Sequence, residues 1–501
     1  MSLALLMVGV ALLVVALHAV GFWSDAVHAI TYPYGLDYGE GIIWQQAALI
    51  PGPRMYGDIT RFPYLVFHYP PLYHLIVRGI SALGVNMLAA GRAVSLASTL
   101  AIGCLVAALV VQAMPPRTPG RWVGGAIGGL TFFCWWPVVV WAPFMRVDML
   151  AIALSLGGLL CVMQGTRHLA LSYVGMTAFV MAVFTKQTSF AAPIAAVAVL
   201  LVVDRRVAVR MLAFGLVLGG LGLTVLMGMT HGRFLDHILF YNINRFSLGA
   251  MVQALFVEVL QLGLVMLGLL GVLAAWRCNV AARRRAALPG RDDGRSSRNL
   301  SILVLYLCLA TASLVSLGKS GASLNYALEW MGVLSVLVGT LMAAVIEEEV
   351  RRARDGQRGL TILALLPLLF VLQVAVTPMS AMRLVSDAQR AELESLAARI
   401  GGANKPVLSE DMVAVMQAGK EVVWEPAIFA ELASTGRWDE RPFVDMILAH
   451  RFAFVVTEDE SSSLAWRNRY TPTVRAAITA SYPVTEALGG KTVHLSSSVT
   501  D

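Results

Sequence analysis

Long apolar stretches recur along the chain from residue 3 to residue 377, separated by short polar or charged segments. A membrane-spanning helix needs roughly 20 mostly apolar residues to cross a hydrocarbon layer about 30 Å thick. The pattern therefore predicts a polytopic α-helical membrane protein with about eleven transmembrane helices. The first stretch, residues 1–20, is not followed by a small-residue cleavage motif, so we interpret it as a retained span and not as a signal peptide.

One apolar stretch, residues 69–84, does not fit this pattern. It is short, begins with Pro70 and Pro71, and carries His74 and Arg78 near its middle. If this stretch were counted as a span, the loops before and after it would lie on sides of the membrane that disagree with the distribution of their charges. We predict a helix that lies along the outer membrane surface with its charged side chains toward water.

From Met379 onward the chain is charged and mixed in character. The segments KPVLSED, KEVVWEP and FAFVVTED predict short buried strands, residues 425–436 and 439–449 predict helices, and residues 490–495 predict a last strand. Alternating strands and helices indicate a small α/β layer of undetermined strand order. The predicted organisation is a transmembrane domain over residues 1–377 and a soluble α/β domain over residues 378–501, called the C-terminal region below.

Composition and charge agree with this division and orient it. The chain is 57% hydrophobic and 14% charged, with a net charge of +7. Much of the excess lies in the loop 276–299, and a second basic segment covers residues 347–358. Because basic loops stay in the cytoplasm, we expect a multi-pass protein of the inner (plasma) membrane with a cytoplasmic N-terminus. Residues 23–88, called the first loop below, and the C-terminal region would then lie on the periplasmic or extracellular side. We expect membrane lipids around the spans and no nucleic-acid partner.

Polar and charged residues collect at the predicted outer ends of several spans, Arg146 and Asp148 among them. A single interfacial Arg or Lys is more often an anchor that reaches toward water than a ligand. Lys186 is less easily explained in this way, because it interrupts an otherwise apolar stretch near membrane depth. Asp37 and Glu40 lie in the glycine-rich stretch PYGLDYGEG. They fit a solvated turn, or a loop in which a carboxylate acts as general base toward an acceptor.

The order of several short motifs resembles that of the GT-C glycosyltransferases, in particular the protein O-mannosyltransferases and the lipid A aminoarabinose transferases. An acidic pair in the first loop is followed by FHYPPLYHLIVRGISALGVNMLAAGRAVSLAS. Further along, RVDMLAIAL, FTKQTSFAAP and GKSGASLNYALEW resemble later family segments. The matching positions are Asp37, Glu40, His68 to Pro71, Gly84, Arg92, Asp148, Lys186, Lys319 and Tyr326. Tyr69 departs from the aminoarabinose enzymes, which have Lys there.

The resemblance implies an inverting transfer of a sugar from a polyprenyl-phosphate donor on the outer face to a glycan, lipid or protein acceptor. It implies Asp37 or Glu40 as the catalytic base. The residues implied for the donor phosphate and sugar are His68, Arg92, Asp148, Lys186, Lys319 and Tyr326. We expect no cofactor and predict no metal site, although carboxylates at Asp37, Glu40 and Asp148 leave a divalent metal open.

Two other classes of function remain open. A flippase or transporter of a lipid-linked sugar would use the same outer charges as a binding surface. A conduction path would also need charged residues at the centres of the spans, and few are found there. A non-catalytic scaffold would leave the outer cluster unexplained.

Overall fold

The computed structural model describes residues 2–165, 169–285, 294–357, 362–382, 385–458 and 464–497. Sixteen helices precede the C-terminal region within these ranges. They are α1 Leu3–Ala26, α2 Glu40–Leu49, α3 Leu72–Ser81, α4 Met87–Ala113, α5 Arg121–Thr131, α6 Trp136–Trp141, α7 Asp148–Gln164, α8 Leu169–Thr185, α9 Ala191–Val203, α10 Arg205–Met229, α11 Arg233–Ile238, α12 Leu248–Glu258, α13 Leu262–Arg285, α14 Arg295–Ser313, α15 Leu328–Arg354 and α16 Leu365–Val376.

Six of the described helices are long and apolar enough to cross a membrane: α1, α4, α10, α13, α14 and α15. Four shorter apolar helices accompany them, namely α7, α8, α9 and the segment Ile362–Val376 that contains α16. A multi-pass helical protein is therefore confirmed. The number of about eleven spans and the orientation of the termini stay predictions.

Helix α15 lies at the centre of the bundle. Its most apolar window is 83% buried, whereas that of α10 is 11% buried. It packs against α4, α5, α13 and α14. Small residues allow these close contacts, because a Cβ at Gly124 would overlap the carbonyl oxygen of Gly339, and one at Gly271 would overlap that of Leu337.

The stretch 69–84 forms the short helix α3, of ten residues. At 1.5 Å per residue it is about 15 Å long, half of what a span needs. The stretch is therefore not among the described helices that are long and apolar enough to cross a membrane, and its position along the outer membrane surface stays a prediction. The expectation that its charged side chains point toward water is wrong for His74, which is completely buried, with Nε2 3.2 Å from Gln46 Oε1. α3 packs against α2 and α4.

In its described residues, the C-terminal region combines six helices with a four-stranded sheet of order β1-β2-β4-β3. β1 and β2 are parallel, and β4 is antiparallel to both β2 and β3. The elements are α17 Asp387–Gly402, β1 Leu408–Ser409, α18 Met412–Gln417, α19 Pro426–Ser434, α20 Arg441–Leu448, β2 Val455–Glu458, α21 Leu464–Arg469, α22 Pro472–Ser481, β3 Val484–Leu488 and β4 Lys491–Leu495.

Most of the elements expected in this region are present, with two differences. The segment KEVVWEP was expected to be a strand, and that prediction is wrong. Its residues Val422, Val423 and Trp424 are buried, but they lie outside the described sheet. The Tyr64 amide of the first loop donates to the Val423 carbonyl oxygen at 2.9 Å, and the Trp424 ring contacts Phe443 and Tyr470 of the C-terminal region. Strand β3 was not predicted, because it is a largely exposed edge strand without an apolar alternation.

The C-terminal region shares its hydrophobic cores with the first loop. Tyr64 of the first loop belongs to the same buried cluster as Phe429, Trp438 and Phe443. A second cluster joins residues of α2 and α3 to residues of α17 and α18. The C-terminal region is therefore fixed over one end of the helical bundle.

Candidate active site

A cavity of about 1230 Å³ lies between that end of the bundle and the C-terminal region. Its walls come from the first loop, from the connection between α8 and α9, from the segment after α11, from the connection between α14 and α15, and from α19 and α21. Within the described residues, six cationic side chains and three carboxylates line it: Arg146, Lys186, Arg245, Lys319, Arg467 and Arg469, against Asp37, Glu425 and Glu431. The cavity is therefore suited to an anionic ligand.

Asp37 is at the wall of this cavity. Its Oδ2 accepts hydrogen bonds from the Gly39 amide at 2.9 Å and from Arg146 Nε at 2.7 Å. The first of these bonds closes a local turn that aspartate favours. Oδ1 accepts no hydrogen bond from the described part of the chain, and the side chain is 16% exposed. One carboxylate oxygen is thus fixed, and the other remains for a substrate.

Arg146 is a residue of the site for which the sequence pattern indicated no role. It pairs with Asp37 across 109 positions of the chain, and its guanidinium lies 5.5 Å from the centre of the Trp141 ring. The sequence placed it among the outer charges, but nothing in the local pattern indicated this partner.

Glu40 and Arg92 do not line the cavity. Both side chains are completely buried and form an ion pair, with Arg92 Nη2 2.7 Å from Glu40 Oε2 and Arg92 Nε 2.8 Å from Glu40 Oε1. Glu40 also accepts from the amides of Leu36 and Met145. Arg92 donates in addition to three carbonyl oxygens, those of Ala29, Tyr32 and Tyr34. This saturated pair ties the start of α2 to α4 and leaves no group free for a substrate.

Lys186 reaches the cavity, and Asp148 lies behind it. Lys186 Nζ is 2.6 Å from Asp148 Oδ1 and 4.9 Å from the centre of the Tyr326 ring. Asp148 also accepts from Trp141 Nε1 and from Asn325 Nδ2, both at 3.0 Å. Asp148 is 1% exposed, so it orients Lys186 and Asn325 and does not itself face the cavity.

Lys319 lies in the connection between α14 and α15, against the segment before α12. A bridge pairs its backbone with that of Phe246, and Gly318 contacts the Phe246 ring so closely that a Cβ would overlap it. Burial, with a smaller contribution from the nearby Lys186, lowers the pKa of the Lys319 ammonium. Its ammonium forms no ion pair with a described residue, so it is available to an anion.

His68 connects the first loop to the C-terminal region at the cavity wall. His68 Nε2 lies 2.7 Å from Glu425 Oε2, and His68 Nδ1 lies 3.3 Å from Asn242 Oδ1. Other residues of the C-terminal region also reach the cavity, among them Glu431, which pairs with Arg245, and Arg469, which lies 4.1 Å from the centre of the Tyr38 ring. These contacts join residues that are far apart in the chain, and no local sequence pattern indicated them.

The candidate carboxylates do not come together as metal ligands. Asp37, Glu40 and Asp148 each pair with a different cation. Among the residues that the structure describes, no group of three or more His, Cys, Asp or Glu side chains is placed to hold a metal ion.

The comparisons with known proteins identify the fold. No protein-family model matches the chain, and neither does any curated protein. Among solved structures, ArnT from Cupriavidus metallidurans in the apo state is 15% identical, with 97% of each chain covered and a TM-score of 0.57. The same enzyme bound to undecaprenyl phosphate is 15% identical, with 97% of this chain and 98% of that chain covered and a TM-score of 0.55. The oligosaccharyltransferase from Archaeoglobus fulgidus in the apo form is 12% identical, with 94% of this chain and 72% of that chain covered and a TM-score of 0.55. The chain therefore has the fold of the GT-C membrane glycosyltransferases, as the resemblance of its motifs predicted.

Proposed function

We propose that this protein is a membrane glycosyltransferase that moves a sugar from a polyprenyl-phosphate donor to an acceptor bound in the cavity. The observation that carries the proposal is the arrangement of the cavity itself. It brings a fixed carboxylate, Asp37, into the same space as two cations, Lys186 and Lys319, within a GT-C fold.

The structural neighbours support a lipid-linked donor. ArnT from Cupriavidus metallidurans binds undecaprenyl phosphate in one structure. The archaeal oligosaccharyltransferase AglB from Archaeoglobus fulgidus binds a dolichol-phosphate together with an inhibitory peptide. A donor of the same class is the proposal for this chain.

In this proposal the donor phosphate lies at the Lys319 side of the cavity. Hydrogen bonds from an ammonium to a phosphate are strong, and Lys319 has no competing carboxylate among the described residues. The neighbouring segments contribute apolar residues to the lining, namely Phe246, Ala250, Ala254 and Leu317, which suits the start of a polyprenyl chain. Negative charge grows on the phosphate as its bond to the sugar breaks, and Lys319 and Lys186 stabilise it.

The acceptor lies at the Asp37 side. Asp37 Oδ1 removes the proton of the acceptor hydroxyl or amine, while Arg146 holds Oδ2. The acceptor atom then attacks the anomeric carbon from the face opposite the phosphate. One bond forms, the sugar–phosphate bond breaks with its electron pair leaving on the phosphate, and the configuration is inverted.

Glu40 and Arg92 have a different role in this proposal. Their buried pair anchors the loop that carries Asp37 and does not touch the substrate. Asp148 likewise acts through Lys186. We place the cavity and the C-terminal region on the periplasmic or extracellular side of the inner (plasma) membrane, in agreement with the basic loops at the opposite ends of the helices.

Reconstitution tests this function. Purified protein in liposomes is supplied with a panel of undecaprenyl-phosphate sugars and a cell-envelope extract as acceptor source, and released undecaprenyl phosphate is measured by mass spectrometry. We expect release from at least one donor. If donors cross the bilayer and remain intact throughout the panel, the protein is a transporter of the lipid-linked sugar and the proposal is wrong.

A further inference from the structure

Four segments of the chain meet at His68. Its carbonyl oxygen accepts from Gln187 Nε2 at 2.9 Å and from Asn242 Nδ2 at 3.4 Å, and its ring contacts Asn242 and Glu425. These partners belong to the connection after α8, the segment after α11 and the residue that precedes α19. His68 is therefore the point where the first loop is joined to both the membrane helices and the C-terminal region.

The amide orientation of Asn242 determines one proton of the His68 ring. Asn242 Nδ2 donates to the carbonyl oxygens of His237, at 2.7 Å, and of His68. A flipped amide would place Oδ1 against two carbonyl oxygens, which is unfavourable because all three atoms are acceptors. Oδ1 thus faces His68 Nδ1, and Nδ1 carries a hydrogen.

Glu425 determines the second proton. Its Oε2 is 2.7 Å from His68 Nε2, and the two side chains are only 7% and 16% exposed. With Nδ1 already a donor, an ionised Glu425 requires a hydrogen on Nε2 as well, which makes the ring an imidazolium. Burial acts to lower the pKa of His68, but the Glu425 carboxylate and the bonds to Glu425 and Asn242 outweigh it, so that the pKa lies above the ordinary value of 6.5.

The other ionisable groups near His68 do not replace this pairing. Arg146 acts against the charge on His68 but is paired with Asp37. Burial lowers the pKa of His74 and of His237 to about 4, so both are neutral near pH 7.

We propose that Glu425 is a positioning residue: with a protonated His68 it forms a latch that fixes α19 against the first loop and so completes the wall of the cavity. Three residues of α19 line that wall, namely Ala427, Ile428 and Glu431. The latch is a property of the fold, and only its effect on catalysis rests on the proposed glycosyl transfer.

The latch makes the wall sensitive to pH. A histidine whose pKa is higher in the folded than in the unfolded state stabilises the fold when it is protonated. This stabilisation is complete below the unfolded pKa, about 6.5 for His68, and is lost as the pH rises through the higher pKa of the folded state. The wall formed by α19 therefore loosens as the pH rises through the raised pKa of His68.

Hydrogen exchange tests the latch without any substrate. Exchange of residues 426–434 is measured in the full-length protein in nanodiscs between about pH 6.5 and pH 9, after correction for the intrinsic pH dependence of amide exchange. We expect exchange in the wild type to accelerate roughly tenfold over this range, as for the loss of one charge-assisted hydrogen bond.

Glu425→Gln is the decisive variant. The side-chain amide of this variant at position 425 can donate a hydrogen bond to Nε2 when the His68 ring is neutral, and its oxygen can accept one from Nε2 when the ring is charged. The contact between residues 68 and 425 therefore persists whether or not His68 is protonated. We expect exchange in this variant to be independent of pH, and exchange in Glu425→Ala to be fast throughout. The matched control is Glu421→Gln, since Glu421 also joins the C-terminal region to the first loop, through Arg54, but lies outside the cavity. The control should keep the pH dependence of the wild type.

An absence of pH dependence in the wild type, or its persistence in Glu425→Gln, would overturn the latch. In the transfer assay, the KM of the wild type should rise over the same pH range, whereas that of Glu425→Gln should not. A pH-dependent exchange pattern without any sugar transfer would leave the latch standing and refute the proposed function, so the two claims fail separately.

Discussion

Arg146 Nε lies 2.7 Å from Asp37 Oδ2, which joins the first loop to the segment that precedes α7. This contact leaves only Oδ1 of Asp37 without a partner among the described residues. The pair therefore sets the position of the carboxylate and, in the proposed reaction, the oxygen that meets the acceptor.

Replacing Arg146 tests whether this orientation matters. Arg146→Lys keeps the positive charge but loses the planar fork that holds the carboxylate. Because a misplacement of about 1 Å can cost roughly 10²-fold in rate, we expect kcat for sugar transfer to fall by about that factor while KM for the donor changes little. Steady-state kinetics in proteoliposomes measure both, and an unchanged kcat would show that Arg146 does not orient the base.

The Arg92–Glu40 pair should behave as a structural element. Removing one partner of a buried ion pair leaves an uncompensated charge, at a cost of about 3–5 kcal/mol. We expect Arg92→Met to lower the melting temperature strongly and to reduce the yield of folded protein, as measured by intrinsic fluorescence and size-exclusion chromatography. If the variant keeps wild-type stability but loses sugar transfer, Arg92 acts on the substrate and not as a structural element.

Lys319 should control binding of the polyprenyl phosphate. We expect Lys319→Ala to weaken the affinity for undecaprenyl phosphate by about ten- to a hundredfold, the usual contribution of a charged hydrogen bond. Lys405→Ala is the control, because Lys405 is exposed and does not line the cavity.

The same residue predicts a pH dependence. The ammonium form binds the phosphate, and burial lowers the pKa of Lys319 below the ordinary value of 10.5. The affinity of the wild type for undecaprenyl phosphate should therefore begin to fall at a lower pH than it would if the phosphate were bound by a lysine with the ordinary pKa. Binding measured by thermophoresis across the alkaline range should show this loss, and its persistence in Lys319→Ala would exclude Lys319 as the cause.

The orientation in the membrane has its own test. In a background without native cysteines, Ala449→Cys should react with an impermeant thiol reagent added outside intact cells. Arg354→Cys, at the other end of the bundle, should react only after permeabilisation. The reverse pattern would place the cavity in the cytoplasm.

The sequence predicted the membrane class, the GT-C fold and several residues that the structure brings to one cavity, among them Asp37, His68, Lys186, Lys319 and Tyr326. The membrane class and the fold were predictable because span length and motif order are local properties of a chain, whereas the roles of the cavity residues stay proposals. Partners were not predictable in this way. Arg92 and Glu40 are 52 positions apart, and the local pattern does not reveal that each satisfies the other.

The C-terminal region shows the same limit more clearly. Glu425 meets His68 from 357 positions away, so the contribution of this region to the cavity emerges only from the three-dimensional packing. The failed strand in KEVVWEP has a related cause. Its apolar residues are buried by the first loop and by aromatic rings of the C-terminal region, and not by a neighbouring strand. A hydrophobic run alone does not distinguish these environments.

The most direct test of the central claim is sugar transfer by Asp37→Asn. The control is Asp58→Asn, an acidic residue of the same loop that does not line the cavity. With a donor that the wild type accepts, we expect Asp37→Asn to lose roughly 10²- to 10⁴-fold in kcat, the range for removal of a general base, while it still binds undecaprenyl phosphate and melts normally. The control should keep the wild-type rate. Transfer by folded Asp37→Asn at the wild-type rate would contradict the assignment of Asp37 as the base.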